Sequence, residues 1–336
     1  MHVKPRLLVL QLWGLGDLVI ATPFLRAAVK KYEVTMVGKP FAADLRPRLW
    51  PEIDVICFNA PWTVFRGKYH LWHWPWLEML RLRRRLIDKH FDFGVSGRWD
   101  PRDHLVLKVS TATERLGFSR LQSRHFLTRE LVRPQPLAHM SEYWRVAGRA
   151  LGLEVPAYSE IVPPPRTNFS SALLHSGARL PARVWPLENF QQIAASLRKK
   201  NIAVQIACDP DQREWWSSHG ENVACPQTVP EVLSLIDRAG IFIGNCSGPG
   251  HLAAICGVPT FTVFGPSMHE WWAPMHPAAE IFEGKACPYK PCADYCRYKK
   301  PFCLSDVKAG DVWPRVEIFA ERHLTESRQE GDNLRN

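Results

Sequence analysis

The chain of 336 residues is 46% hydrophobic and 23% charged, the proportions of a globular protein long enough to bury two cores. Its formal charge of +10 favours anionic partners such as phosphorylated sugars, nucleotides or acidic lipids; composition alone permits nucleic acid, but none of the known recognition motifs occurs and no nucleic-acid partner is expected. No run of about 18 apolar residues is present and residues 7–12 are too short for a signal peptide, so the expectation is a cytoplasmic protein, able to sit peripherally at the inner face of the cytoplasmic membrane.

In chain order, residues 6–12 are a short apolar run suited to a buried parallel strand. Residues 18–32 read as a helix, with Ile20, Phe24 and Ala28 on one face. Strands follow at 34–37 and 55–58, a helix at 76–89, a strand at 91–96 and a helix at 137–151. Residues 155–168 contain Pro156 and the run Pro163-Pro164-Pro165, which stiffens the chain and stops helices, so a domain boundary is placed there. A second βαβ series begins at 172–176. It continues with a helix at 187–199, a strand at 203–207, a helix at 229–239 and a strand at 241–243. A glycine-rich loop at 244–248 then opens a helix at 249–256, followed by a strand at 260–263. Residues 265–306 read as irregular, and a helix near 311–323 closes the fold. Two α/β halves follow, each built on a parallel sheet, whose ligands bind beyond the carboxyl ends of the strands.

Two loops carry that chemistry. Trp13-Gly14-Leu15-Gly16-Asp17 lies between a strand and a helix; a dinucleotide fingerprint would need a third glycine where Val19 stands, which disfavours an NAD enzyme. Asp17 has a plain alternative role as an acidic residue favoured at a helix N-terminus. The second loop, Gly244 to His251, offers a helix N-terminus and the Ser247 hydroxyl to an anion such as a diphosphate; a serine-capped turn is the alternative. The same loop fits G-x-nucleophile-x-G with Cys246 as nucleophile, a cysteine hydrolase. Against that, about ninety residues remain for an acid–base partner, and neither His269 nor His276 has a clear acidic orienter. Asp209-Pro210-Asp211 has the D-x-D form that holds a divalent ion, but Asp-Pro opening a turn accounts for it better. Trp72, Trp74 and Trp76 followed by Arg81, Arg83, Arg84 and Arg85 suit an anionic bilayer surface, or else a core helix with a solvated basic face. Cys287, Cys292, Cys296 and Cys303 could hold zinc or iron, though their spacing is not that of a ribbon, and buried cysteines bracing a loop are the favoured reading.

Taken together, residues 8–23 (LVLQLWGLGDLVIATP), 184–190 (VWPLENF) and 243–266 (IGNCSGPGHLAAICGVPTFTVFGP), with Trp272-Ala273-Pro274 and the C-x3-C-x6-C-L tail, resemble glycosyltransferase family 9, the heptosyltransferase family. The resemblance implies a GT-B fold of two Rossmann-like domains facing a central cleft. Residues 1–160 would bind the acceptor, 169–325 the nucleotide sugar, and 326–336 would be a polar tail. It also implies an inverting transfer from a nucleotide sugar, typically ADP-heptose, onto the lipopolysaccharide core or a related anionic or lipid-linked glycan. No further cofactor is implied, and a divalent metal is left open. By position Asp17 matches the general base, with Gly14 and Gly16 on the acceptor side. Ser247, Gly248 and His251 match the diphosphate loop. Arg183 takes the place of a phosphate-binding lysine, Cys246 that of an aspartate, and Gln212 lies near a nucleoside-binding glutamate. A sugar-nucleotide binding protein without activity is the remaining alternative.

Overall fold

In the computed structural model, residues 3–64, 68–164, 169–292 and 295–324 are described. The chain divides into two compact units, Met1–Ile161 and Val162–Asn336. The division falls inside the proline-containing stretch 155–168, of which 165–168, like the tail at 326–336, lies outside the described residues.

The first unit runs β1 (Arg6–Gln11), α1 (Leu15–Ile20), α2 (Thr22–Lys31), β2 (Glu33–Gly38), α3 (Phe41–Leu49), β3 (Asp54–Cys57), α4 (Trp76–Lys89), β4 (Phe93–Ser96), α5 (Pro101–Val109), β5 (Glu114–Gly117), β6 (Arg129–Glu130), α6 (Met140–Ala150) and α7 (Tyr158–Ile161). Its strands are all parallel, in the order β3-β2-β1-β4-β5-β6. β1 is central and its last five residues are buried, which is why it reads as an unbroken apolar run. The single helix anticipated over 18–32 is two, α1 and α2, meeting at Ala21. Pro23 has no N–H to continue a helix through that point and sits instead in the first turn of the second.

The second unit runs β7 (Ser171–His175), α8 (Leu187–Lys199), β8 (Ala203–Ala207), α9 (Arg213–Ser218), β9 (Val223–Ala224), α10 (Val229–Ile236), β10 (Ile241–Asn245), α11 (Gly248–Ile255), β11 (Thr260–Phe264), α12 (His269–Trp272), β12 (Ala279–Glu283), α13 (Phe302–Ser305) and α14 (Ala309–His323). Its sheet is also parallel, in the order β9-β8-β7-β10-β11-β12. Counted within each unit this is the same 3-2-1-4-5-6 doubly wound order twice, the arrangement of Rossmann-like folds. The stretch 265–306 is less irregular than expected. β12 pairs with β11, from Thr260 opposite Ala279 to Phe264 opposite Glu283. As a partly exposed edge strand it lacks the continuous apolar signal of its neighbours.

Strand order reverses between β1 and β4 in the first unit and between β7 and β10 in the second. Each reversal leaves a crevice beyond the carboxyl ends of the two strands. The loops that the sequence singled out, after β1 and after β10, are each one wall of such a crevice.

Candidate active site

In the first unit, Gly14 caps α1 and Asp17 sits in its first turn, with Gly16 between them. The Asp17 carboxylate accepts from the Gly14 N–H at 3.1 Å through one oxygen and from the Arg98 guanidinium at 3.1 Å through the other. Gln11, at the end of β1, donates to the Asp17 carbonyl at 2.8 Å. The capping role is thus realised, yet it uses one acceptor position on a group that has about four. The remaining lone pairs leave Asp17 able to accept a substrate proton.

Arg98 comes from the loop after β4, the opposite wall of the crevice. Its guanidinium lies 4.7 Å from the Trp13 ring centre and 5.0 Å from that of Trp99, so aromatic faces fix its plane. Trp13 is fixed in turn: its indole N–H donates to Asp103 at 3.0 Å, and Trp62 donates to the other oxygen at 2.8 Å. Asp103 is fully buried on α5, and burial pushes its carboxyl up to about 6 against the pull of these two donors. Neighbouring Asp100, N-cap of α5, is held below the usual carboxylate range by hydrogen bonds from Arg102, which outweigh its partial burial. On the same helix His104 pairs with Ser123 at 2.8 Å, and burial pushes its imidazole down. None of Arg98, Asp103 and Trp62 had been singled out from sequence. Their shared signal is position: Arg98 and Asp103 follow β4, which only the topology brings next to β1, and Trp62 follows β3, one strand beyond β2.

In the second unit the hub is Asn245, the last residue of β10 and fully buried. Its side-chain carbonyl accepts from the Trp185 N–H at 2.9 Å, and its amide donates to the Ser176 carbonyl at 2.8 Å. One side chain therefore ties together the ends of β7 and β10 and the segment before α8. Trp185 is itself buried against Phe190 and donates to the Val307 carbonyl at 2.9 Å. Arg183, two residues earlier, is held by this anchoring on the loop between β7 and α8. Its Nε is buried and has no hydrogen-bond partner. The Ser247 hydroxyl, at the N-cap of α11, is likewise buried and unpartnered. Gly248 opens the helix and His251 is buried within it. The first turn of a helix leaves backbone N–H groups without intrahelical acceptors. With the Arg183 Nε–H and the Ser247 hydroxyl both in want of acceptors, the arrangement can receive an anion with several oxygens.

Other candidates land differently. Cys246 is buried beside Arg183; burial raises its thiol, and Arg183 only partly offsets that. A nucleophile needs the thiolate, so the hydrolase alternative loses its central requirement. Burial also pushes the His276 imidazole down to about 4, and its Nδ1 accepts from the Ala278 N–H. Gln212 is buried with both ends of its amide engaged: Oε1 accepts from the Ser176 hydroxyl at 2.8 Å, and Nε2 donates to the Ser176 carbonyl at 3.2 Å. It braces the loop after β7. Asp209 caps the turn that precedes α9, its carboxylate so close to Gly177 that a Cβ there would lie 2.4 Å from it. The D-x-D reading thus gives way to the turn. His175 lies behind them, stacked on Phe242, with its imidazole pushed down by burial although Asp209 pulls the other way.

All nine cysteines are free thiols. Cys292 lies close to Cys296 and Cys287, and burial is the main cause that raises its thiol. Among the described residues, no group of three or more His, Cys, Asp or Glu is placed to hold a metal ion.

The fold has close counterparts among solved structures. The structure titled E. coli heptosyltransferase WaaC with ADP superposes with a TM-score of 0.71 over 94% of this chain and 99% of that one, at 17% identity. In sequence, the chain is 27% identical over 115 residues to lipopolysaccharide heptosyltransferase 3 of Escherichia coli (strain K12), a match covering 29% of this chain and 31% of that protein. A second heptosyltransferase 3 of Escherichia coli is 28% identical over 152 residues, or 42% of this chain and 44% of that protein. The chain thus spans about a third to under half the length of the curated relatives it matches. The sequence model of glycosyltransferase family 9 (heptosyltransferase) matches residues 79–301, from α4 through the loop that bears Arg98 to the cysteine-rich segment, and the chain belongs to that family.

Proposed function

We propose that this protein is an inverting glycosyltransferase that moves a sugar from a nucleotide diphosphate onto a glycan hydroxyl. The observation that carries the reading is the pair of buried, unpartnered polar groups, Arg183 Nε and Ser247 Oγ, beside the N-terminus of α11. Desolvated donors without acceptors cost stability, and a bound diphosphate supplies what they lack. The donor we propose is ADP-heptose, in keeping with relatives described as heptosyltransferases. The acceptor proposed is the lipopolysaccharide core or a related anionic glycan.

In the reaction, Asp17 accepts the proton of the acceptor hydroxyl as its oxygen attacks the anomeric carbon. The bond from that carbon to the diphosphate breaks, and the departing electron pair ends on the diphosphate. Arg183 and the α11 N-terminus stabilise the charge that accumulates there. Arg98 orients the Asp17 carboxylate through one oxygen. A single displacement of this kind inverts the anomeric configuration.

Calorimetric titration tests the donor side. ADP should bind more tightly than adenosine, and Arg183→Ala should weaken ADP by about tenfold or more while leaving adenosine nearly unchanged. Equal weakening of both ligands would place Arg183 away from the phosphates. Failure of ADP to bind, with tight binding of another nucleoside diphosphate, would overturn ADP-heptose as donor and keep the transferase reading.

A further inference from the structure

Six of the sixteen large hydrophobic side chains that stand exposed among the described residues fall between positions 69 and 80: Tyr69, Leu71, Trp72, Trp76, Leu77 and Leu80. Trp72 is 92% exposed, which for the largest apolar side chain calls for a reason. Of these rings, Trp76 is tied to the core. Phe58, Trp62, Trp74 and Trp76 form a ladder of aromatic contacts with centroids 6.2, 5.7 and 5.6 Å apart, leading from the core to the surface. At its outer end the Trp76 indole donates to the Leu71 carbonyl at 3.0 Å and fixes the turn that presents Trp72. Helix α4 continues the surface. Leu82 and Leu86 are its buried face; by helical spacing Leu77, Leu80, Arg81 and Arg84 point the other way, and all four are exposed. The helix carries five basic and two acidic residues.

We infer that this surface docks the protein on an anionic lipid bilayer, with Trp72 and Leu77 in the headgroup region and the arginines against lipid phosphates. Three features select this occupant. Indoles at the rim of an apolar patch suit the interface between water and hydrocarbon. Arginines beside them complement a negative surface, and the whole chain carries +10. The ladder also includes Trp62, which shares Asp103 with Trp13 beside the proposed base. A lipid-linked acceptor held by this surface would therefore meet the same unit that carries Asp17. No helix among the described residues is long and apolar enough to cross a membrane, so the attachment proposed is to one face only.

The inference goes beyond the sugar transfer and does not depend on it, and the test keeps the two apart. The full chain is floated with vesicles of equal parts phosphatidylglycerol and phosphatidylcholine, and with phosphatidylcholine alone, at low and high salt. Wild type should float with the anionic vesicles at low salt and be released as salt rises. Trp72→Ala with Leu77→Ala should weaken binding to the anionic vesicles at low salt. Arg83, Arg84 and Arg85 replaced by Gln should weaken it at low salt by about fivefold per residue and flatten the salt dependence. An Asp17→Asn protein should float like wild type. The Trp72, Leu77, Arg83, Arg84 and Arg85 side chains are exposed, and circular dichroism with thermal melting verifies that all the variants fold. Three results would overturn the proposal: wild type left with the soluble fraction at low salt, flotation indifferent to Trp72 and Leu77, or a concentration-dependent self-association abolished by the Trp72 and Leu77 substitutions.

Discussion

Asp17 is held by two donors and lies 18% exposed, a geometry that fits a group meant to keep one orientation while a hydroxyl approaches. Asp17→Asn keeps the shape and removes the basicity. Turnover should fall by about 10²–10⁴-fold with donor affinity nearly unchanged, read from kcat against the calorimetric Kd; a loss under about tenfold would remove Asp17 from the chemistry. Behind it, Asp103 has a folded-state carboxyl raised to about 6, so the stability it contributes is present at acid pH and is lost as pH rises through that value. The indole N–H groups of Trp13 and Trp62 limit the loss, because they favour the ionised form. Trp13→Phe removes one of them, and the gap in thermal midpoint between wild type and variant should widen from pH 5 to pH 8. A gap independent of pH would mean that Trp13 does not stabilise the Asp103 carboxylate.

At the scale of the element, the loop after β4 owes its course to Gly97. A Cβ at that position would lie 2.5 Å from the buried Trp144 ring of α6, so the strand end and the helix approach closer than any other residue permits. Gly97→Ala should therefore displace either Trp144 or the loop that carries Arg98, costing about 1–3 kcal/mol in urea denaturation and lowering kcat with it. An unchanged midpoint and turnover would show that the loop yields without strain. The two glycine-bearing loops after β1 and β10 were legible in the sequence because strand, loop and helix are consecutive there, and the family resemblance rests on the same stretches. Helix α5 was not legible. Its buried face includes Asp103 and His104, so the polar residues that matter to the site erase the apolar periodicity by which a helix is recognised. Helix α3 was missed for a related reason, with Pro47 inside it and arginines at 46 and 48. In the second unit Asn245 reads in sequence as one more loop residue, and only the adjacency of β7 and β10 gives it three segments to hold. Residues of one wall of each crevice were thus named in advance, and those of the opposite wall in the first unit had to await the fold.

For the molecule as a whole, both units place their first strand in the middle of the sheet, and this has a consequence for how the chain is made. β1 finds its first neighbour quickly, since Arg6 pairs with Glu33. Its other neighbour is β4, where Leu7 meets Phe93, 86 residues further on. At about 5–20 residues per second of synthesis, that edge of β1 waits roughly 4–17 s after leaving the ribosome. The second unit repeats the delay, because Ala172 of β7 must await Ile241 of β10. During each interval an apolar strand with open N–H and C=O groups on one side is a template for any other nascent strand nearby. A doubly wound order met twice in one chain thus imposes two periods of risk during translation, each ending only when the fourth strand of its sheet emerges.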